Sequence, residues 1–325
     1  MEKDRKGVSR RQFIKGSAAV AFTGLMPRDV FSQAKEVPIG SRKSGTRLIL
    51  LGTGGGPRPN KMRNQSSWVV LTDGVPYVVD CGGGVSRQMV FANISLAKLR
   101  HIFITHHHSD HNLEYGGLMY NAWVSGFKGR MDTYGPPPIE KISKLFLETN
   151  AYDINTRISD EGRPPLGPMI HPHEFSKGGL VVETENVKVT AALVNHPPVE
   201  PAFAYRFDAP NRSIVFSGDT TPCEGLVKLA QGADFLVHEV LHKPSLAKLL
   251  PRVPHRDKLL EHIMGAHTTH IDVGKVAKEA GVKTLVLTHF VPVDDSSLTD
   301  EMWIEGAKTH FEGKVIVGKD LMEIS

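Results

Sequence analysis

The sequence predicts an α/β domain of two facing β-sheets with helices on their outer sides, an αββα four-layer sandwich. Two observations predict it. Short runs rich in branched and aromatic residues recur in two groups, and each group is followed by stretches of helical spacing. A dense histidine loop directly follows one of these runs, as expected where loops at a sheet edge carry chemistry.

The first strand is expected at residues 47–51, an apolar run that breaks at Gly52, Thr53, Gly54, Gly55 and Gly56. Strands at 68–71 and 77–79 follow, joined by the Asp73-Gly74 turn. A glycine turn at 82–84 leads into a helix over 85–92, and a strand is expected at 102–104. Residues 113–124 and 139–147 have helical spacing. From Ala151 to Pro168 proline, glycine and charge replace any period, which predicts a surface loop flanking the site. Strands resume at 180–183, 187–194, 202–207, 213–216 and 235–237. Helices at 272–280 and 298–309 then alternate with strands at 284–287 and 314–317.

The N-terminus carries a different message. Ser9, Arg10, Arg11, Gln12, Phe13, Ile14 and Lys15 form a twin-arginine pattern before a short apolar run from Gly16 to Met26. That run is about half the roughly 20 residues a membrane span needs, so it predicts an export address rather than an anchor. The expected organisation is a signal peptide over 1–34, cleaved near Ala34, and a single domain over 35–325 in the periplasm or outside the cell. Its partner there is the twin-arginine export machinery. Removing 1–34 takes away seven basic and three acidic residues and leaves 32 of each sign. The +4 of the whole chain therefore belongs to the address, and a nucleic-acid partner is not expected. Cys81 and Cys223 are the only cysteines, too few for a disulfide framework, and both are read as free, partly buried thiols, with a single bridge between them the alternative.

Thr105-His106-His107-His108-Ser109-Asp110-His111 places four imidazoles and a carboxylate on one loop. Such donors suit zinc, and also manganese or iron. Buried without a cation, they would lose several kcal/mol of solvation. The segment resembles the His-x-His-x-Asp-His signature of the metallo-β-lactamase superfamily, on His106, His108, Asp110 and His111. Further signature elements occur in the family's order as Asn195-His196-Pro197, Ser217-Gly218-Asp219-Thr220 and Thr288-His289-Phe290, so the likeness covers nearly all of 46–319. It implies two divalent metal ions, zinc foremost. His106, His108 and His196 would hold one, Asp110, His111 and His289 the other, and Asp219 would lie between them. Two such cations make a hydroxide nucleophile available at neutral pH, and Asp110 is positioned to orient it.

Leu236-Val237-His238-Glu239-Val240 and Gly265-Ala266-His267-Thr268-Thr269 resemble elements of the ribonuclease Z branch, which includes zinc-dependent arylsulfatases and phosphodiesterases. The likeness implies that His267 donates a proton to the leaving group and Glu239 hydrogen-bonds to it. Many class B β-lactamases carry cysteine where Asp219 stands, so penicillin-type hydrolysis is disfavoured. No long glycine-rich or basic arm of the kind that grips transfer RNA is found in the second half. The expected substrate is a small phosphodiester or aryl sulfate ester. A lactonase or carboxylesterase remains the alternative, and a periplasmic metal-binding protein without turnover is the alternative of another class. Relatives often form homodimers, which no residue here specifies. His171, His173, His242, His255, His262 and His270 match no signature and are read as surface or supporting groups. Trp68, Trp123 and Trp303 are expected in the core, whereas Asn64, Ser66 and Ser67 are placed where they could touch substrate.

Overall fold

The computed structural model describes residues 45–249 and 256–325. The signal segment, its cleavage position and His255 lie outside the described residues. Two sheets of seven strands face each other. The first runs in spatial order β14 (Met322–Ile324), β1 (Arg47–Gly52), β2 (Ser67–Thr72), β3 (Val75–Val79), β4 (His101–Phe103), β5 (Met131–Gly135) and β6 (Ile170–Glu174). The second runs β13 (Lys314–Val317), β12 (Thr284–Val291), β11 (Phe235–Leu241), β10 (Arg212–Phe216), β9 (Ala202–Ala209), β8 (Lys188–Val194) and β7 (Gly179–Glu183).

Strand alternation builds the layers. Leu48, Leu50, Trp68, Val70, Tyr77, Val79 and Phe103 meet Phe203, Tyr205, Phe207, Phe216, Val237 and Val286 between the sheets. The intervening Ile49, Leu51, Val69, Val78 and Ile102 point the other way, onto α1 (Val85–Phe91), α3 (Tyr115–Val124) and α4 (Ile139–Thr149). On the far side Ala204, Val215, Leu236, Leu285 and Leu287 pack against α6 (Glu224–Ala230), α9 (Asp272–Glu279) and α10 (Asp300–Lys308). The central strands β1, β2, β11 and β12 are buried on both faces, which gives the four layers αββα and explains their near-continuous apolar runs, whereas the edge strand β7 is largely exposed. All three tryptophans are buried, as expected.

The expected loop over 151–168 is instead largely a helix, α5 (Ala151–Glu161). Ile154, four residues before Ile158, packs into the outer helical layer. Arg157 bridges Asp153 at 3.0 Å and Glu161 at 2.6 Å on the exposed side. Gly162, at φ 66, then ends the helix in the left-handed conformation. The high proportion of charge belongs to a solvated helix face, and α5 packs on α4. Strands β5 and β6 were likewise not anticipated, since Asp132, His171, Pro172 and His173 interrupt their apolar pattern.

Candidate metal centre

The chain leaves β4 and turns at Thr105, whose N–H and Oγ1 each donate to the Asp80 carboxylate at 2.8 Å. Asp80 itself ends β3 in the left-handed region, at φ 59, a conformation that Asp tolerates better than most residues. The histidine motif then winds into the one-turn helix α2 (Ser109–Asn112), which turns Asp110 and His111 inward. His196 follows β8, and Asp219 follows β10. His289 lies within β12, not past its end. The register against β11 shifts between Glu239 and Val240, and His289 takes φ 44. A bulge of this kind re-aims a side chain, here toward the site.

These elements bring all the expected ligands together. His108 Nδ1 lies 3.2 Å from His106 Nε2 and 3.1 Å from His196 Nε2. Asp110 Oδ2 lies 3.6 Å from His111 Nε2 and 3.3 Å from His289 Nε2. Asp219 stands between the two groups, with Oδ1 3.3 Å from His111 Nε2 and Oδ2 3.1 Å from His289 Nε2 and 3.8 Å from His106 Nε2. Donors bonded at about 2.0 Å around a tetrahedral zinc lie roughly 3.3 Å apart, so these separations suit the edges of two coordination shells. His106, His108, His196 and Asp219 could hold one ion, and Asp110, His111 and His289 a second.

The electrostatics fit cations. Burial pushes His106 well below the ordinary imidazole value and His196 below it, and burial, aided by the neighbouring His196 ring, lowers His108 to about 4. Burial also opposes charge on His111 and His289, but Asp219 outweighs it, lifting His111 strongly and His289 to about 10. Despite burial, His111 and His289 hold Asp110 and Asp219 below the usual carboxylate range. Two carboxylates thus recruit protons onto two imidazoles, a demand that divalent cations meet by displacing those protons. His111 Nε2 and Asp219 Oδ1 are buried and lack a hydrogen-bond partner, and a shared ion would satisfy both.

Neighbouring groups fix the ligands. His111 Nδ1 meets Asp80 Oδ2 at 2.7 Å, and His196 Nδ1 meets the Ala266 carbonyl at 2.9 Å. The Gly56 N–H donates to Asp110 Oδ2 at 2.7 Å. Next to Asp219, Glu239 Oε1 accepts from His267 Nδ1 at 3.0 Å, Thr220 N–H at 3.0 Å and Thr268 N–H at 3.3 Å. Burial of His267 opposes its charge, yet the Glu239 carboxylate raises it above the ordinary imidazole value.

Sequence reasoning missed Asp80, whose partner His111 is 31 residues away, although a carboxylate between a strand and a glycine turn was a usable signal. His262, read from the sequence as a surface or supporting group, stands beside the ligands, its ring 6.0 Å from His108, 6.3 Å from His196 and 6.4 Å from His267. Asn64, Ser66 and Ser67, expected near substrate, are engaged within the protein. Asn64 N–H and Nδ2 bind Asp320 at 2.6 and 2.9 Å, while Ser66 and Ser67 are buried against the carbonyls of Gly54 and Gln65. His242 and His270 pack on Trp303, and both cysteines are free thiols.

The family model of the Anti-Pycsar protein Apyc1 matches residues 46–249. A ribonuclease Z of Mycobacterium bovis (strain BCG / Pasteur 1173P2) is 32% identical over 280 residues, 85% of this chain and 97% of that protein. The chain belongs to the Apyc1 and ribonuclease Z family of the metallo-β-lactamase fold. Within this fold, YhfI of Bacillus subtilis superposes with a TM-score of 0.64 at 20% identity, over 86% of this chain and 98% of that one. Zinc-bound PqqB of Methylobacterium extorquens gives 0.59 at 13% identity, over 86% and 99%. Membership of the ribonuclease Z family makes the protein a metal-dependent hydrolase acting on ester bonds. A twin-arginine signal model matches residues 7–27, which directs this family member out of the cytoplasm. Among the described residues no helix is long and apolar enough to cross a membrane.

Proposed function

We propose that the protein is exported, cleaved near Ala34 and acts in the periplasm or medium as a two-zinc hydrolase of small phosphodiesters, with aryl sulfate esters as the next substrate class. His106, His108 and His196 would hold one ion and Asp110, His111 and His289 the other, with the Asp219 carboxylate available to both. When bound, the pair supplies water activation and neutralises charge that develops on the attacked centre. Asp110, held by the Gly56 N–H, orients the nucleophile.

The bonded pair His267 and Glu239 carries this reading. With Nδ1 committed to Glu239, Nε2 is the nitrogen left to deliver a proton, and the carboxylate keeps the ring protonated for that step. A proton donor matters most where the leaving group is a poor alkoxide, as in phosphodiesters. The relative's name, a ribonuclease, denotes that bond. The balanced charge of 35–325 and the export signal favour a small substrate over transfer RNA.

The test assays metal-loaded residues 35–325 on bis(4-nitrophenyl) phosphate, 4-nitrophenyl sulfate, 4-nitrophenyl acetate and a homoserine lactone. The diester is expected to lead by roughly tenfold in kcat/KM. A lead for the acetate or the lactone would replace this reading with an esterase or lactonase. No turnover with both ions bound would leave a metal-binding protein.

A further inference from the structure

Of the side chains in the two ligand groups only His108 is not fully buried, so the centre opens to solvent on the His108 side. The half-buried His262, in the last turns of α8 (Arg256–Ala266), stands at that opening. Its ring meets those of His108, His196 and His267 at interplanar angles of 78°, 63° and 83°. Ligand rings within one group, His106, His108 and His196, lie 4.6 to 5.0 Å apart. At 6.0 to 6.4 Å, His262 is therefore one step outside the coordination shell. Neither of its ring nitrogens is sealed from solvent without a partner, unlike His111 Nε2.

An anionic substrate calls for N–H donors beside the ions. Among the described residues no lysine or arginine pairs with Asp110, Asp219 or Glu239, so the pocket has no guanidinium or ammonium at its carboxylates. A phosphodiester has two non-bridging oxygens, which the ions would share with N–H donors at the rim of the site. An oxygen turned to the open side needs an N–H donor.

We infer that His262 is a substrate-contacting residue, donating a hydrogen bond to a non-bridging oxygen of the bound phosphoryl group, an inference that rests on the phosphodiester reading above. It follows that α8 delivers two groups to the ester at once, His262 to the phosphoryl oxygen and, at its end, His267 to the leaving group.

The test compares wild type, His262→Ala and His262→Gln as metal-loaded residues 35–325, with metal content measured by emission spectroscopy. Binding of inorganic phosphate is read by calorimetry, and bis(4-nitrophenyl) phosphate kinetics run in parallel. His262→Ala is expected to weaken phosphate binding and raise KM by about tenfold each, with kcat within about threefold and metal content unchanged. Glutamine, which keeps an N–H donor, should recover part of both. Phosphate bound equally by wild type and His262→Ala would overturn the inference, as would loss of an ion from His262→Ala. A wild type inert to the diester would sink the phosphodiester reading alone, because phosphate binding still decides the role of His262.

Discussion

The His111 imidazole reaches the metal centre with one nitrogen and holds Asp80 Oδ2 at 2.7 Å with the other. Asp80 also accepts both Thr105 bonds, so one buried carboxylate fixes the ring of a ligand and the turn that starts the histidine loop. Replacing Asp80 by Asn leaves the shape and removes the charge. Such outer partners typically contribute about 10–100-fold in metal affinity. We expect Asp80→Asn to lose affinity in that range in a chelator competition, and an unchanged affinity would remove Asp80 from this role.

The glycine loop before β2 must approach the second ligand group closely. A Cβ on Gly55 would lie 2.6 Å from both Cε1 and Nδ1 of His289, while a Cβ on Gly56 would meet nothing within 4 Å. Gly56 asks only for its φ of +90. Gly55→Ala should therefore lose an ion from the Asp110, His111 and His289 group. Gly56→Ala should keep both and lose about 1–2 kcal/mol of stability from backbone strain. Metal analysis and urea unfolding of the pair separate these effects, and equal metal loss in both would contradict the account.

His267 and Glu239 make a leaving-group prediction. His267→Ala should slow esters of poor leaving groups by about 100-fold or more and nitrophenyl esters far less. Because Glu239 raises the His267 value, Glu239→Gln should move the basic limb of the kcat profile to lower pH. Equal losses on both ester types would show that the ring serves another purpose.

The site was far more legible in the sequence than the layers around it. Its ligands belong to short motifs that follow strands or, for His289, lie within one, and the order of those motifs is legible in the chain. The bulge that aims His289 was not readable, because it exists only in the register of β12 against β11. Helix α5 was hidden by composition, since Arg157 and its acidic partners read as loop until their i,i+4 spacing is placed beside Ile154. Asp80 bonds and His262 neighbours rings distant in sequence, and no local pattern announces such contacts.

His101 gives a stability prediction away from the metals. Its ring stacks on Tyr77 at 4.8 Å and Tyr134 at 6.2 Å, and burial lowers it to about 4 against the opposing pull of Asp132. The unfolded chain thus takes up this proton first. The contribution is complete above the ordinary value of 6.5 and is lost as pH falls toward about 4. His101→Phe keeps the stack and should remove on the order of 2 kcal/mol of that acid sensitivity in urea unfolding at successive pH values. A parallel pH dependence in wild type and variant would assign the sensitivity elsewhere.

The central claim concerns seven side chains and a pair of ions, and anomalous diffraction at the zinc edge tests it most directly. Crystals of the metal-loaded protein should show two peaks roughly 3.5–4 Å apart. One belongs among His106, His108 and His196, the other among Asp110, His111 and His289, with Asp219 touching both. A single peak, or peaks away from Asp219, would contradict the account.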